Sequence, residues 1–88
     1  MSADLLGLVL AEVRGEPGLT VQQITQVCYW ATGESTAEAD VGAALELLAA
    51  VGMARHEFGR WRPGPTRCEL AELPVDLGAE WRRRRGRR

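Results

Sequence analysis

The chain has no lysine and no asparagine, one isoleucine (Ile24), one histidine (His56) and two cysteines, Cys28 and Cys68. A single histidine excludes a His-based metal pair or a His–His relay within one chain, and no metal or cofactor is expected. Two cysteines make no disulfide framework, so reduced thiols are the expectation, with Cys28 a buried structural one. No long apolar run is present either. The longest, from Leu5 to Ala11, is broken by Gly7 and falls far short of the roughly 20 residues a membrane span needs. No basic stretch precedes it, so it does not read as a secretory signal; a cytoplasmic protein without a membrane partner is expected. Gly-rich phosphate loops, a nucleophile elbow and a paired acid and base set are all missing, so the chain is not expected to be an enzyme. Lysine, asparagine and isoleucine draw on A/T-rich codons. Their scarcity points to a G/C-rich coding sequence, expected to be bacterial.

What remains is 88 residues, 45% hydrophobic and 26% charged, enough for one small core with or without a tail. The net charge of −1 conceals an asymmetry. Residues 1–54 carry Asp4, Glu12, Glu16, Glu34, Glu38, Asp40 and Glu46 against Arg14 alone. Residues 55–88 carry ten arginines against Glu57, Glu69, Glu72, Asp76 and Glu80. An acidic body with a basic end does not exclude nucleic acid, because binding depends on where charge sits.

Along the chain, residues 4–14 read as a helix with Leu5, Leu6, Val9, Leu10 and Val13 on one broad face and Leu8 about 60° outside it. Gly15-Glu16-Pro17-Gly18 stops it. Thr20 with Gln23 forms a capping box for a second helix, Val21 to Ala31. Its apolar stripe is Val21, Ile24, Val27, Cys28 and Ala31, with Tyr29 and Trp30 off it. Gly33-Glu34-Ser35-Thr36 reads as a short turn leading to another N-cap. Val41, Ala44, Leu45, Leu48 and Val51 then give a clean helical period, closed by Gly52 in a left-handed cap. Met53–Glu57 and Trp61–Pro63 read as two extended runs about a Phe58-Gly59-Arg60 tip, a β-hairpin with His56 on its surface. Residues 69–81 allow a fourth helix interrupted by Pro74 and Gly78. Arg82–Arg88 reads as a disordered basic tail.

The order helix, turn, helix, short turn, helix, hairpin resembles the winged helix-turn-helix family over about Leu5 to Pro63. The residues that carry the resemblance are Leu19-Thr20-Val21 with Ile24, Ser35-Thr36, Val41, Leu45 and Leu48, Gly52-Met53, and Gly59-Arg60-Trp61. It implies an α+β, mostly α fold: a three-helix bundle with a two-stranded β-hairpin wing over residues 1–65. A C-terminal extension (66–81, helical or dimerising) and the tail (82–88) follow. It also implies a small DNA-binding regulator of transcription, in which the third helix enters the major groove and the wing touches the backbone or minor groove. Carried onto this chain, DNA contacts fall on Ser35, Thr36, Arg55, Arg60, Arg62 and Arg67, with the tail arginines Arg82, Arg83, Arg84 and Arg85 gripping phosphates. The chain departs from the pattern on the third helix. Its outward positions hold Glu38, Asp40 and Glu46 and no base, and a carboxylate facing a phosphate repels by roughly 1 kcal/mol in water.

Two functions stay open at this point. One is a regulator that binds double-stranded DNA through wing and tail. The other is a protein–protein interaction module, adaptor or inhibitor, that offers the acidic third helix to a basic partner. Leu8, Trp30 and Trp81 are surplus apolar surface under either reading and suit an interface, most simply a homodimer. On the DNA reading, cutting the chain after Glu80 is expected to weaken binding and leave the body folded.

Overall fold

A computed structural model describes residues 3–33 and 36–85, with side chains from 5 to 33 and from 36 to 84. Its elements are α1 (Ala3–Gly15), α2 (Val21–Thr32), α3 (Glu38–Ala50), β1 (Ala54–Glu57), β2 (Arg60–Pro63), a 3-10 turn (Leu70–Glu72) and α4 (Leu77–Arg85). The architecture is α+β and mostly α, a helix bundle carrying a two-stranded antiparallel hairpin, as expected.

The helices form where period and caps agree. On α1, Leu6, Val9, Leu10 and Val13 are all buried, while Leu5 and Leu8 flank them and pack half-buried against the same core. On α2 the capping box is present: the Gln23 amide donates to Thr20 Oγ1 at 3.2 Å and the Thr20 amide donates to Gln23 Oε1 at 2.9 Å. The pair closes the helix start reciprocally and satisfies donors that have no partner within the helix. Gly33 ends α2 in a left-handed conformation. The N-cap of α3 is Ala37, which has no side-chain oxygen to offer. Glu38 and Asp40 in the first turn sit where the helix dipole favours negative charge.

At the other end of α3, the Met53 amide donates to the Leu48 carbonyl at 2.9 Å and the Gly52 amide to that of Ala49 at 3.0 Å. Gly52 holds a φ of 80°. These are the two bonds of a Schellman cap, and only a residue at ease with positive φ closes it cheaply. The chain then enters β1 and returns in β2, with Glu57 opposite Arg60, His56 opposite Trp61 and Arg55 opposite Arg62. The turn is two residues, Phe58-Gly59, both with positive φ. Arg60, read from the sequence as part of the tip, is the first residue of β2.

A third short stretch joins this sheet. The Trp61 amide donates to the Leu19 carbonyl at 2.8 Å and the Gly18 amide donates to the Trp61 carbonyl at 2.8 Å. The turn between α1 and α2 is thereby fastened to the free edge of β2.

Two sequence expectations are corrected at the C-terminal end. Arg82 to Arg85 continue α4 where a disordered tail was expected. Trp81, expected on an interface, is fully buried with Leu77 four residues before it. The i, i+4 spacing puts both side chains on one face, and α4 packs against α1 and α3. The extension therefore shares one core with the three helices and the hairpin. Arg87 and Arg88 of the expected tail lie outside the described residues.

Candidate nucleic-acid interface

Side chains alternate across a strand, and directly paired residues share a face. The register therefore divides the hairpin cleanly. Ala54 and Trp61 point inward and are buried. His56, opposite Trp61, stacks on it with ring centroids 4.6 Å apart and stays exposed. Arg55, Glu57, Arg60 and Arg62 occupy the other face, which looks to solvent.

One carboxylate serves two guanidinium groups on that face. Glu57 Oε1 lies 3.5 Å from Arg55 Nη2 and 3.6 Å from Arg62 Nε. Arg60 donates from Nη1 to the Gly18 carbonyl at 2.8 Å, which holds its head against the turn before α2. Exposed ion pairs of this kind contribute about 0.2–1 kcal/mol each. A guanidinium carries five N–H donors and uses few of them here. The face is thus cationic, braced against the α1–α2 turn, and has donors to spare for an anion.

The remaining arginines are held elsewhere. On α4, Arg83 pairs with Glu80 at 2.6 Å and Arg84 with the same carboxylate at 3.5 Å. At 100° per residue, Arg82, Arg83 and Arg84 fan out around a helix whose inner side is fixed by buried Trp81. They cannot all lie along one phosphate rail. Arg67 is exposed in the loop after the hairpin. Ser35 and the Arg85 side chain lie outside the described residues, and Thr36 is half-buried just ahead of α3. Of the sequence candidates, the structure brings together Arg55, Arg60 and Arg62 on the hairpin and Arg82, Arg83 and Arg84 on α4.

The outward side of α3 offers little reach. Glu38, Ala39, Glu46, Ala49 and Ala50 are exposed, and Asp40, Gly42 and Ala43 are half-buried. These are carboxylates and small side chains, as the sequence indicated. On α2, Trp30 is 71% exposed beside a partly exposed Tyr29. Trp30 thus stays available to a partner, Leu8 is half covered by the chain's own core, and Trp81 is withdrawn altogether.

Sequence reasoning missed two residues. Arg14 donates from Nη2 to the Cys68 carbonyl at 2.7 Å and to that of Thr66 at 3.3 Å, tying α1 to the segment after the hairpin. Nothing in a lone arginine on an acidic half signals that role. Phe58, read only as part of a tip, is 99% exposed. A signal did exist for it: a Phe-Gly pair between two strand runs implies a two-residue turn, whose side chains point away from any core.

Both cysteines are free thiols. Burial, together with the Glu12 charge, pushes the Cys28 thiol above its ordinary value. Among the described residues no group of three or more His, Cys, Asp or Glu is placed to hold a metal ion, and no helix is long and apolar enough to cross a membrane. Comparison with protein families, with curated proteins and with solved structures gives no match.

Proposed function

We propose that the chain is a small winged-helix protein that binds double-stranded DNA and acts in transcription regulation, its hairpin leading the contact. One observation carries the reading: Arg55, Arg60 and Arg62 share one solvent-facing sheet surface with a single carboxylate. Phosphate contacts from such residues supply most of sequence-independent affinity. The order of three helices and a hairpin, with Leu19 pairing to the edge of β2, supports the family resemblance behind it. The acidic side of α3 suits a dock in which that helix stays clear of the groove floor. The reading therefore entails weak base discrimination and strong backbone dependence.

Fluorescence anisotropy with a random-sequence duplex is the direct test. Binding at about 50 mM salt should fall steeply by 200 mM, and changing Arg55, Arg60 and Arg62 together to Ala should flatten the slope of log affinity on log salt by about 3. Absence of binding at the lower salt ends the proposal.

A second reading rests on Glu38 and Glu46, exposed on α3 with Asp40 beside them. That surface fits a basic protein partner of an adaptor or inhibitor. A partner retained after nuclease treatment, and lost on changing both glutamates to Gln, would favour it. Under either reading a homodimer surface would centre on Trp30, since Trp81 is committed to the core.

A further inference from the structure

The hairpin tip carries a residue that the hairpin itself has no use for. Phe58 sits at the first central position of the two-residue turn with φ 52°, and Gly59 follows with φ 76°. Turns of this kind draw Asn, Asp or Gly at that position, because those residues tolerate positive φ. A bulky aromatic ring there is a backbone outlier. The ring is also 99% exposed, so it buries nothing and its removal opens no cavity. It is the only phenylalanine in the chain. An outlier that neither packs nor eases the turn points to a contact outside the molecule.

The surroundings say what kind. Behind the tip stand Arg60 and, two pairs further back on the same face, Arg55 opposite Arg62. Two residues of strand amount to roughly 7 Å, and the tip reaches a little further. The minor groove of duplex DNA is about 7.5 Å deep. Guanidinium groups of Arg55 and Arg62 held at phosphate level would therefore bring the tip ring to the groove floor. We infer that Phe58 is a wedge, pressed from the minor groove against a base step and partly unstacking it. The inference rests on the DNA-binding reading and adds to it the mode of contact, with easily unstacked pyrimidine–purine steps as the favoured class of site. An anionic lipid surface also pairs outer negative charge with an apolar interior. It is the poorer match, because stable membrane attachment takes more apolar area than one ring supplies, whereas one ring suffices for one base step.

The test uses the full chain and a duplex with 2-aminopurine at a central TA step. Wild type should bind and raise the 2-aminopurine fluorescence. Phe58→Ala should lose that rise and bind about tenfold more weakly. Its salt slope should be unchanged, since no charge is removed, and Phe58→Trp should restore both signals. Circular dichroism melting of Phe58→Ala should show no loss of fold. Equal affinity and equal fluorescence for wild type and Phe58→Ala overturn the wedge and leave backbone binding standing. No duplex binding by wild type at about 50 mM salt overturns both. Insertion into phosphatidylserine-containing vesicles, with no 2-aminopurine response, overturns the wedge in favour of a lipid contact.

Discussion

Gly64 shows how far a single missing methyl group can determine a fold. A Cβ built there would collide with the Gly52 carbonyl oxygen and lie 3.1 Å from the Ala54 amide nitrogen. Both obstacles are backbone, and neither can rotate aside. The glycine lets its own amide donate to the Met53 carbonyl at 3.0 Å, while the Thr66 amide reaches the Gly52 carbonyl at 2.9 Å. Gly64→Ala is expected to cost about 3 kcal/mol, the upper range for overfilling a packed site. Gly7 is the matched control. It lies in α1, where an added Cβ meets nothing within 4 Å. Gly7→Ala should stabilise by about 0.5–1 kcal/mol through helix propensity and unfolded-state entropy. Urea denaturation of the two variants checks both signs. From the sequence, Gly64 is one glycine between two prolines and reads as a loop residue. The close approach depends on how the chain folds back, which no local pattern records.

Among the elements, α4 is where sequence and structure part. Helices α1 to α3 repeat their apolar spacing over three turns, and that repetition made them legible. The contact that anchors α4 is a single i, i+4 pair, Leu77 and Trp81. One pair has no period, and the arginines after it made the whole segment read as solvated. The consequence alters an experiment. Cutting after Glu80 removes Trp81 along with the arginines, so the body would lose part of its core. Trp81→Ala alone is expected to cost about 3–5 kcal/mol, comparable with the whole stability of a small domain. Changing Arg82, Arg83 and Arg84 to Gln separates charge from packing. Thermal melting should shift only slightly, by the loss of the Arg83 and Arg84 pairs with Glu80, roughly 0.2–0.5 kcal/mol each. DNA affinity should fall and its salt slope should drop by at most about 3. An unchanged slope would confine the DNA contact to the hairpin.

Over the whole molecule, one core takes in residues of all four helices and both strands, and no polar or charged side chain is buried among the described residues. Charge acts at the surface and packing acts within, which is why composition and periodicity revealed the architecture better than the partner. The candidate interface was legible as a list of arginines; its division into a hairpin set and an α4 set was not, because that depends on strand register and on the anchoring of α4. Cys28 supplies a global probe. Its thiol is fully buried and held above its ordinary value of 9.0, chiefly by desolvation and secondarily by Glu12. A raised value in the folded state means that this contribution to stability is complete at pH below 9.0 and declines as pH climbs through and beyond it. Midpoints of urea denaturation should therefore fall above pH 9, and less so in Cys28→Ser or Cys28→Ala. At neutral pH a thiol reagent should label Cys68 first and reach Cys28 only on unfolding.

The three indoles grade from 71% exposed at Trp30 to 9% at Trp61 and 0% at Trp81. Each reports a different event without a label. Trp30 emits from a wet environment and yields to a soluble quencher. Trp61 lies beneath the hairpin with the His56 ring against it, so its light follows the seating of that sheet. Trp81 stays dark to quencher until α4 lifts, so detachment of the basic helix and loosening of the hairpin separate optically in a single sample.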